Sequence, residues 1–250
     1  MIKNQIEKFY GQYGQDSVIK QFFDEKKIPN GTFVDIGASE GKRLSNTLLL
    51  EENGWTGICV EAHPSYIDIL KANRPNSTCY SVAVGDRDGV ETPISLNYRA
   101  SLTTLDLSLE QEFQSGYKGY YGSREKFEIN GFLNGMHVVE MRTIDSILVE
   151  NKSKFPKIDL LCIDIDGSEK YAFKGLTLEK WNPEILILEH SVIGHDKTDS
   201  YASKSGYKVA KRIGADTFYV KTDDDVNLLN SLSVIGVQDE ESIEHIAGLE

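Results

Sequence analysis

The stretch that most constrains this chain runs Thr32-Phe33-Val34-Asp35-Ile36-Gly37-Ala38-Ser39-Glu40-Gly41. Phe33, Val34 and Ile36 form the β-branched and aromatic run of a strand covered on both faces. Gly37 and Gly41 let the backbone turn sharply and approach a ligand. About twenty residues on, a second apolar run, Gly57-Ile58-Cys59-Val60, ends in Glu61. A glycine turn after one strand and a carboxylate at the tip of the next is a layout that grips an adenine nucleoside in a doubly wound sheet.

The rest of the chain alternates strand and helix. Asp16 is a candidate N-cap for a helix bearing Val18, Ile19, Phe22 and Phe23 on one face. Helices are predicted over Ser45–Glu52, Ser65–Asn73 and Ser168–Leu176. Strands are predicted over Gly57–Ala62, Thr78–Val84, Lys157–Gly167 and Glu184–His190. Such alternation means parallel strands with helical crossovers, which puts the glycine turn and Glu61 on one sheet edge. Tyr207–Ala210 and Thr217–Val220 flank a Gly214-Ala215-Asp216 turn and read as an antiparallel pair.

Three units are expected: an N-terminal helical segment (1–30), an α/β domain (31–222) and an acidic tail (223–250). The alternation breaks over 85–156, a stretch too long for a simple crossover. Its middle carries Phe113, Tyr117, Tyr120, Tyr121 and Phe127. It is either a flap that stacks on a substrate or a small insert packed at the sheet edge. After Lys221 come eight acids, from Asp223 to Glu250, and the tail is expected to be solvated and partly helical.

With 250 residues and a net charge of -12, the chain has mass for one sizeable domain and no basic face for a phosphate backbone. Nucleic acid is therefore not an expected partner. There is no apolar leader at the N-terminus and no span-length apolar run. Cys59, Cys79 and Cys162 lack zinc spacing and read as buried thiols of a cytoplasmic protein.

Spacing narrows the cofactor. Gly37 and Gly41 are one residue too close for a P-loop, and Ser39 stands where the dinucleotide fingerprint needs glycine. An acid at Asp35 suits a cationic ligand better than a pyrophosphate, and Glu61 can accept both ribose hydroxyls. S-adenosylmethionine, with a sulfonium and an ammonium, meets these terms.

The motifs Gly11-Gln12-Tyr13-Gly14-Gln15-Asp16, Phe33-Val34-Asp35-Ile36-Gly37-Ala38, Ser45-Asn46-Thr47, Gly54-Trp55-Thr56-Gly57, Glu61-Ala62-His63-Pro64, Asn73-Arg74-Pro75, Ala83-Val84, Thr143-Ile144-Asp145-Ser146-Ile147-Leu148 and Ile163-Asp164-Ile165-Asp166-Gly167-Ser168-Glu169 occur in one order. Over roughly residues 9 to 190 the chain resembles the FkbM family of methyltransferases. The resemblance implies a class I, Rossmann-like methyltransferase fold: an α/β, doubly wound, mostly parallel sheet with the antiparallel C-terminal pair. It also implies S-adenosylmethionine as cofactor and methylation of hydroxyls on sugars, glycans or related small molecules. The implied cofactor residues are Asp35, Gly37, Ala38, Ser39, Gly41 and Glu61, with adenine contacts at Ala83 and Val84. Phe173 stands where the family commonly has an aliphatic residue before Lys-Gly, a packing change away from the site.

A sugar hydroxyl needs help losing its proton. Candidates cluster at the tips of the fourth and fifth strands of the sheet: Asp164, Asp166, Glu189 and His190. Either Asp164, Asp166 or His190 is a general base, or Asp164, Asp166 and either Glu189 or His190 hold Mg²⁺ or another hard cation. Alternation along the strand is expected to bring Asp164 and Asp166 to one side. The simpler reading is that Asp166-Gly167 makes a turn and Ser168 caps a helix. Gln15 either closes over the cofactor or only begins the first helix. His63 is read as a helix-entry residue near the adenine. A homodimer is compatible with the sequence, as is a non-catalytic module that binds the cofactor without turnover.

Overall fold

A computed structural model describes residues 8–95 and 136–236. The aromatic cluster expected to belong to a flap or to an insert packed at the sheet edge, Phe113 to Phe127, lies outside the described residues.

Among the described residues the strands, in chain order, are β1 (Thr32–Ile36), β2 (Thr56–Glu61), β3 (Ser77–Ser81), β4 (Ala83–Val84), β5 (Val90–Ser95), β6 (Met136–Arg142), β7 (Leu160–Ile163), β8 (Ile185–Glu189), β9 (Lys208–Ile213) and β10 (Asp216–Val220). The α-helices are α1 (Gln15–Glu25), α2 (Leu48–Glu52), α3 (Ile67–Asn73), α4 (Ile144–Glu150), α5 (Glu169–Ala172), α6 (Leu178–Trp181), α7 (His195–Lys204) and α8 (Asp223–Ser231). Seven strands form the main sheet in the order β3-β2-β1-β7-β8-β10-β9. All neighbours run parallel except around β10, which is antiparallel to both β8 and β9. This is the α/β, mostly parallel, doubly wound sheet expected from the sequence, with its antiparallel C-terminal pair.

Each face of the sheet buries one apolar layer. Phe33, Cys59, Leu160, Cys162, Ile187 and Phe218 pack with Val18, Ile19, Phe22 and Phe23 of α1. Val34, Ile58, Leu161, Ile163, Leu186 and Leu188 pack with Ile144, Ile147 and Leu148 of α4. Alternation along each strand sorts these residues, and each fully buried large side chain contributes about 1.5–3 kcal/mol. The N-terminal helix is therefore a wall of the core.

Several local expectations shift. Gly14, with φ 74°, is the cap residue of α1, so Asp16 does not cap it. Asp16 is instead buried and accepts the Tyr10 and Ser17 N–H groups. The predicted helix from Ser45 starts only at Leu48, because Ser45 Oγ accepts the Thr47 and Leu48 N–H groups and holds the preceding turn. The predicted strand Thr78–Val84 divides. β3 stays in the main sheet, whereas β4 joins a three-stranded sheet in the order β4-β6-β5. Of the acidic tail, residues 223–236 are described, and Asp239 to Glu250 lie outside the described residues. α8 is capped by Thr222, buries Asp225 and Leu229, and its last carbonyls accept from Lys211. Beyond it, the Ile235 N–H donates to Ser17 Oγ. The chain thus folds back on α1 through residue 236. Among the described residues no helix is long and apolar enough to cross a membrane.

Candidate functional site

The glycine turn is shaped by how closely neighbouring strands approach it. Gly37 has φ 92°, and a Cβ there would lie 1.7 Å from the Asp164 carbonyl oxygen. No other residue fits. The Gly37 and Ala38 N–H groups both donate to the Val60 carbonyl, at 2.9 and 3.0 Å, which locks the turn to β2. Ser39, also left-handed at φ 52°, donates its N–H to Glu61 Oε2 at 2.8 Å. Glu61 Oε1 accepts the His63 N–H at 2.6 Å. Both carboxylate oxygens are thereby fixed, each with a lone pair left for a ligand hydroxyl. Burial pushes the Glu61 carboxyl up to about 7 despite these bonds.

Behind the turn lies a network that the sequence did not disclose. Arg74, 1% exposed, donates from Nε to Glu51 Oε2 at 2.7 Å and from a terminal nitrogen to Thr47 Oγ1 at 2.8 Å. Thr47 Oγ1 donates to Asp35 Oδ2 at 2.5 Å, and Arg74 stands 3.7 Å from the same oxygen. Burial raises the Asp35 carboxyl even against Arg74. Gly41, φ 86°, belongs to this network. A Cβ there would meet Arg74 Cγ and Leu70 Cδ1 at 2.7 Å, and its carbonyl accepts from Arg74. Glu51 sits in a leucine helix and reads as a surface acid. Only Asn73-Arg74-Pro75, as one motif in an ordered set, signalled the arginine.

The cleft above the turn encloses about 900 Å³, open solvent included, and is lined by Asp35, Gly37–Ser39, Asn46, Glu61, Val82, Val84, Asp164 and Asp166, among others. Five carboxylates point to one face of the sheet at this edge. Glu61, Asp35, Asp164 and Glu189 lie two residues after Cys59, Phe33, Cys162 and Ile187, and Asp216 lies two before Phe218. All five reference residues belong to the layer against α1. Their strands are consecutive, β2-β1-β7-β8-β10, and the register sets Glu61, Asp164, Glu189 and Asp216 in a row at the edge, with Asp35 one same-face step further in, opposite Cys59 and Cys162. Burial also pushes Asp216 up to about 7, with the charge of Asp164 adding to it.

Asp164, Asp166 and Glu189 each offer an oxygen within 4.8 Å of the others. Strand alternation is not what joins the two aspartates. β7 ends at Ile163, and Asp166 turns back with φ 50°. A left-handed non-glycine residue costs about 1–2 kcal/mol. Asp164 opens to the cleft, yet protein crowds its other sides. Desolvation and the Glu189 charge raise its carboxyl well above the ordinary range. Asp166 shifts up for the same two causes. Glu189 is pushed to about 7 by burial and by the Glu169 charge. Ser191 Oγ donates to Glu189 Oε1, and Glu189 Oε2 is buried with no partner among the described residues. Carboxylate oxygens grouped in this way are the kind of donor that a hard divalent cation takes.

Other expected residues stand apart. Ala83 packs with Ile94, while its neighbours Val82 and Val84 line the cleft, because alternate residues face opposite sides. Gln15 is buried with both amide groups committed: Oε1 accepts the Tyr13 N–H at 2.7 Å and Nε2 donates to Asp216 at 2.7 Å. It braces the acidic row and does not line the cleft. His190 follows Glu189 and so turns to the other face, where its Nδ1 pairs with Thr217 Oγ1 at 3.0 Å. His63 Nδ1 accepts the Ser65 N–H and caps the short 3₁₀ turn Pro64–Tyr66, its ring stacked on Tyr66 at 4.7 Å.

Among solved structures, the chain is similar to a TehB-like SAM-dependent methyltransferase from Corynebacterium glutamicum, at 12% identity and TM-score 0.39, over 84% of this chain and 88% of that one. It is also similar to a candidate RNA methyltransferase from Pyrococcus horikoshii, at 8% identity and TM-score 0.38, over 83% of each chain. No curated protein matches. The methyltransferase FkbM domain matches residues 35–209. That span is well over half of the 250 residues, and the chain belongs to the FkbM methyltransferase family.

Proposed function

We propose that this protein is an S-adenosylmethionine-dependent O-methyltransferase acting on a hydroxyl of a sugar, glycan or related small molecule. The observation that carries the reading is a set of five carboxylates on one face of the sheet, four of them in a row at its edge, beside a glycine turn. Crowded buried acids resist ionising together. A cationic ligand relieves that conflict, and a phosphate-bearing one would aggravate it.

When bound, S-adenosylmethionine supplies an electrophilic methyl group on a sulfonium. Glu61, held by the Ser39 and His63 N–H groups, is the acceptor for the ribose hydroxyls. Val82 and Val84 offer an apolar wall for the adenine. The turn itself stays rigid because Gly37 and Ala38 are tied to Val60. Asp164 or Asp166, with carboxyls raised by desolvation and by the Glu189 charge, suits the uptake of the hydroxyl proton as the methyl moves. In the alternative mechanism Asp164, Asp166 and Glu189 would instead hold Mg²⁺ or a similar cation, which would lower the acceptor's pKa by direct coordination. In this reading residues 31–222 are the methyltransferase domain and the insert 85–156 selects the acceptor.

Calorimetry with S-adenosylhomocysteine tests the cofactor assignment. Wild type is expected to bind, and Glu61→Ala to bind at least tenfold more weakly for loss of a doubly engaged carboxylate. Equal binding by both sinks it. A panel of sugar and small-molecule acceptors with labelled cofactor tests the reaction. Binding without any turnover would mark a cofactor-binding scaffold, and turnover indifferent to EDTA would remove the metal.

A further inference from the structure

Glu169 opens α5 and is fully buried, yet the scheme above gives it no task. Its Oε1 accepts two backbone N–H groups, from Ile165 at 3.1 Å and from Gly167 at 3.2 Å. These residues bracket Asp166, whose φ is 50°. The Gly167 N–H lies in the peptide plane that follows Asp166, and the Ile165 N–H in the plane that joins Asp164 to Ile165, so one oxygen holds both ends of the turn that carries Asp166. The other oxygen, Oε2, is buried without a partner among the described residues. Leaving a buried carboxylate oxygen unpaired is unfavourable. An aliphatic residue would fill this space more cheaply, so packing does not account for the acid. The clamp on the turn does.

We propose that Glu169 is a positioning residue that aims the Asp166 carboxylate at Asp164 and Glu189. The inference rests on the reading of that trio as the place where the acceptor hydroxyl is activated. The clamp itself can be tested apart from it.

The experiment compares wild type, Glu169→Gln and Glu169→Leu by crystal structure, amide hydrogen exchange and titration with Mn²⁺ alone. S-adenosylhomocysteine affinity, which depends on Glu61, reports whether each variant retains the cofactor half of the site. The glutamine carbonyl can accept the same two N–H groups. Glu169→Gln is therefore expected to keep Asp166 left-handed and the Ile165 and Gly167 amides protected. Glu169→Leu is expected to free Asp166 from φ 50°, to lose roughly tenfold or more in protection at those amides as the turn opens locally, and to bind Mn²⁺ at least about tenfold more weakly. Its S-adenosylhomocysteine affinity should stay near wild type. The proposal is overturned if Glu169→Leu keeps both the turn and the protection, or if Glu169→Gln loses as much as Glu169→Leu. Should Glu169→Leu fail to fold, Glu169→Asp replaces it; its shorter side chain keeps the charge but is expected to lose the clamp. Absence of Mn²⁺ binding in wild type would defeat the metal reading alone, since the exchange and dihedral readouts still decide the clamp.

Discussion

Glu189 and Asp216 stand opposite each other in the antiparallel register of β8 and β10, two buried carboxylates side by side at the edge of the sheet. The geometry follows from one reversed strand. Because β10 runs against β8, its first residue, not its last, reaches the cleft edge.

That pairing predicts an unusual pH dependence. Glu61, Glu189 and Asp216 are each raised to about 7 in the folded chain by burial, from ordinary values of 4.5, 4.5 and 3.8. The folded protein therefore binds more protons than the unfolded chain between about 4 and 7. Stability from these groups is fully present below the unfolded values and is lost as pH rises through 7. A shift of this size is worth roughly 3 kcal/mol per group if fully realised. Thermal melts of the ligand-free protein should fall from pH 5 to pH 8, and a rising profile would refute the assignment.

The same acids predict a preference between two nearly identical ligands. S-adenosylmethionine carries a sulfonium that S-adenosylhomocysteine lacks. As the row ionises, attraction to that extra charge grows. The affinity ratio of the two, measured by calorimetry at pH 6 and pH 8, should move several-fold toward S-adenosylmethionine. A ratio that stays constant would mean the row does not face the sulfonium.

Arg74→Met should destabilise the fold by about 3–5 kcal/mol, because it strands Glu51 and Asp35 as buried acids. Adding Glu51→Gln should recover part of that loss. Urea unfolding of the single and double variants measures both, and a double variant no more stable than the single would count against the pairing.

Gly37→Ala should cost about 3 kcal/mol or more, since left-handed strain adds to a contact with the Asp164 carbonyl that cannot be relieved by a side-chain shift. Gly89→Ala provides the contrast. Gly89 is also left-handed, at φ 69°, but nothing lies within 4 Å of a Cβ there. That variant should lose only about 1 kcal/mol. Equal losses would show that backbone strain alone sets the requirement at Gly37.

Much of the architecture was legible in the linear pattern. Apolar runs such as Phe33–Ile36 and Ile185–Leu188 are buried strands because they alternate with amphipathic helices. The Gly37 turn and Glu61 share one edge of the sheet because their spacing follows from strand and crossover lengths. The nearness of Asp164 and Asp166 was legible too, but for a different reason: a left-handed turn joins them, not the strand's alternation.

What the chain alone could not reveal depends on contacts between distant residues. Arg74 looks like a surface arginine until α3 carries it beneath the glycine turn to meet Glu51 and Thr47. Asp216 looks like a turn residue until the reversal of β10 sets it beside Glu189. His190 looked equivalent to Glu189, but adjacent residues of one strand face opposite sides, so only Glu189 reaches the cleft cluster. Local pattern and spacing determined the elements and the edge at which the glycine turn meets Glu61. Only the tertiary structure decided which carboxylates share a face, because that is set by strand register and direction between segments far apart in sequence.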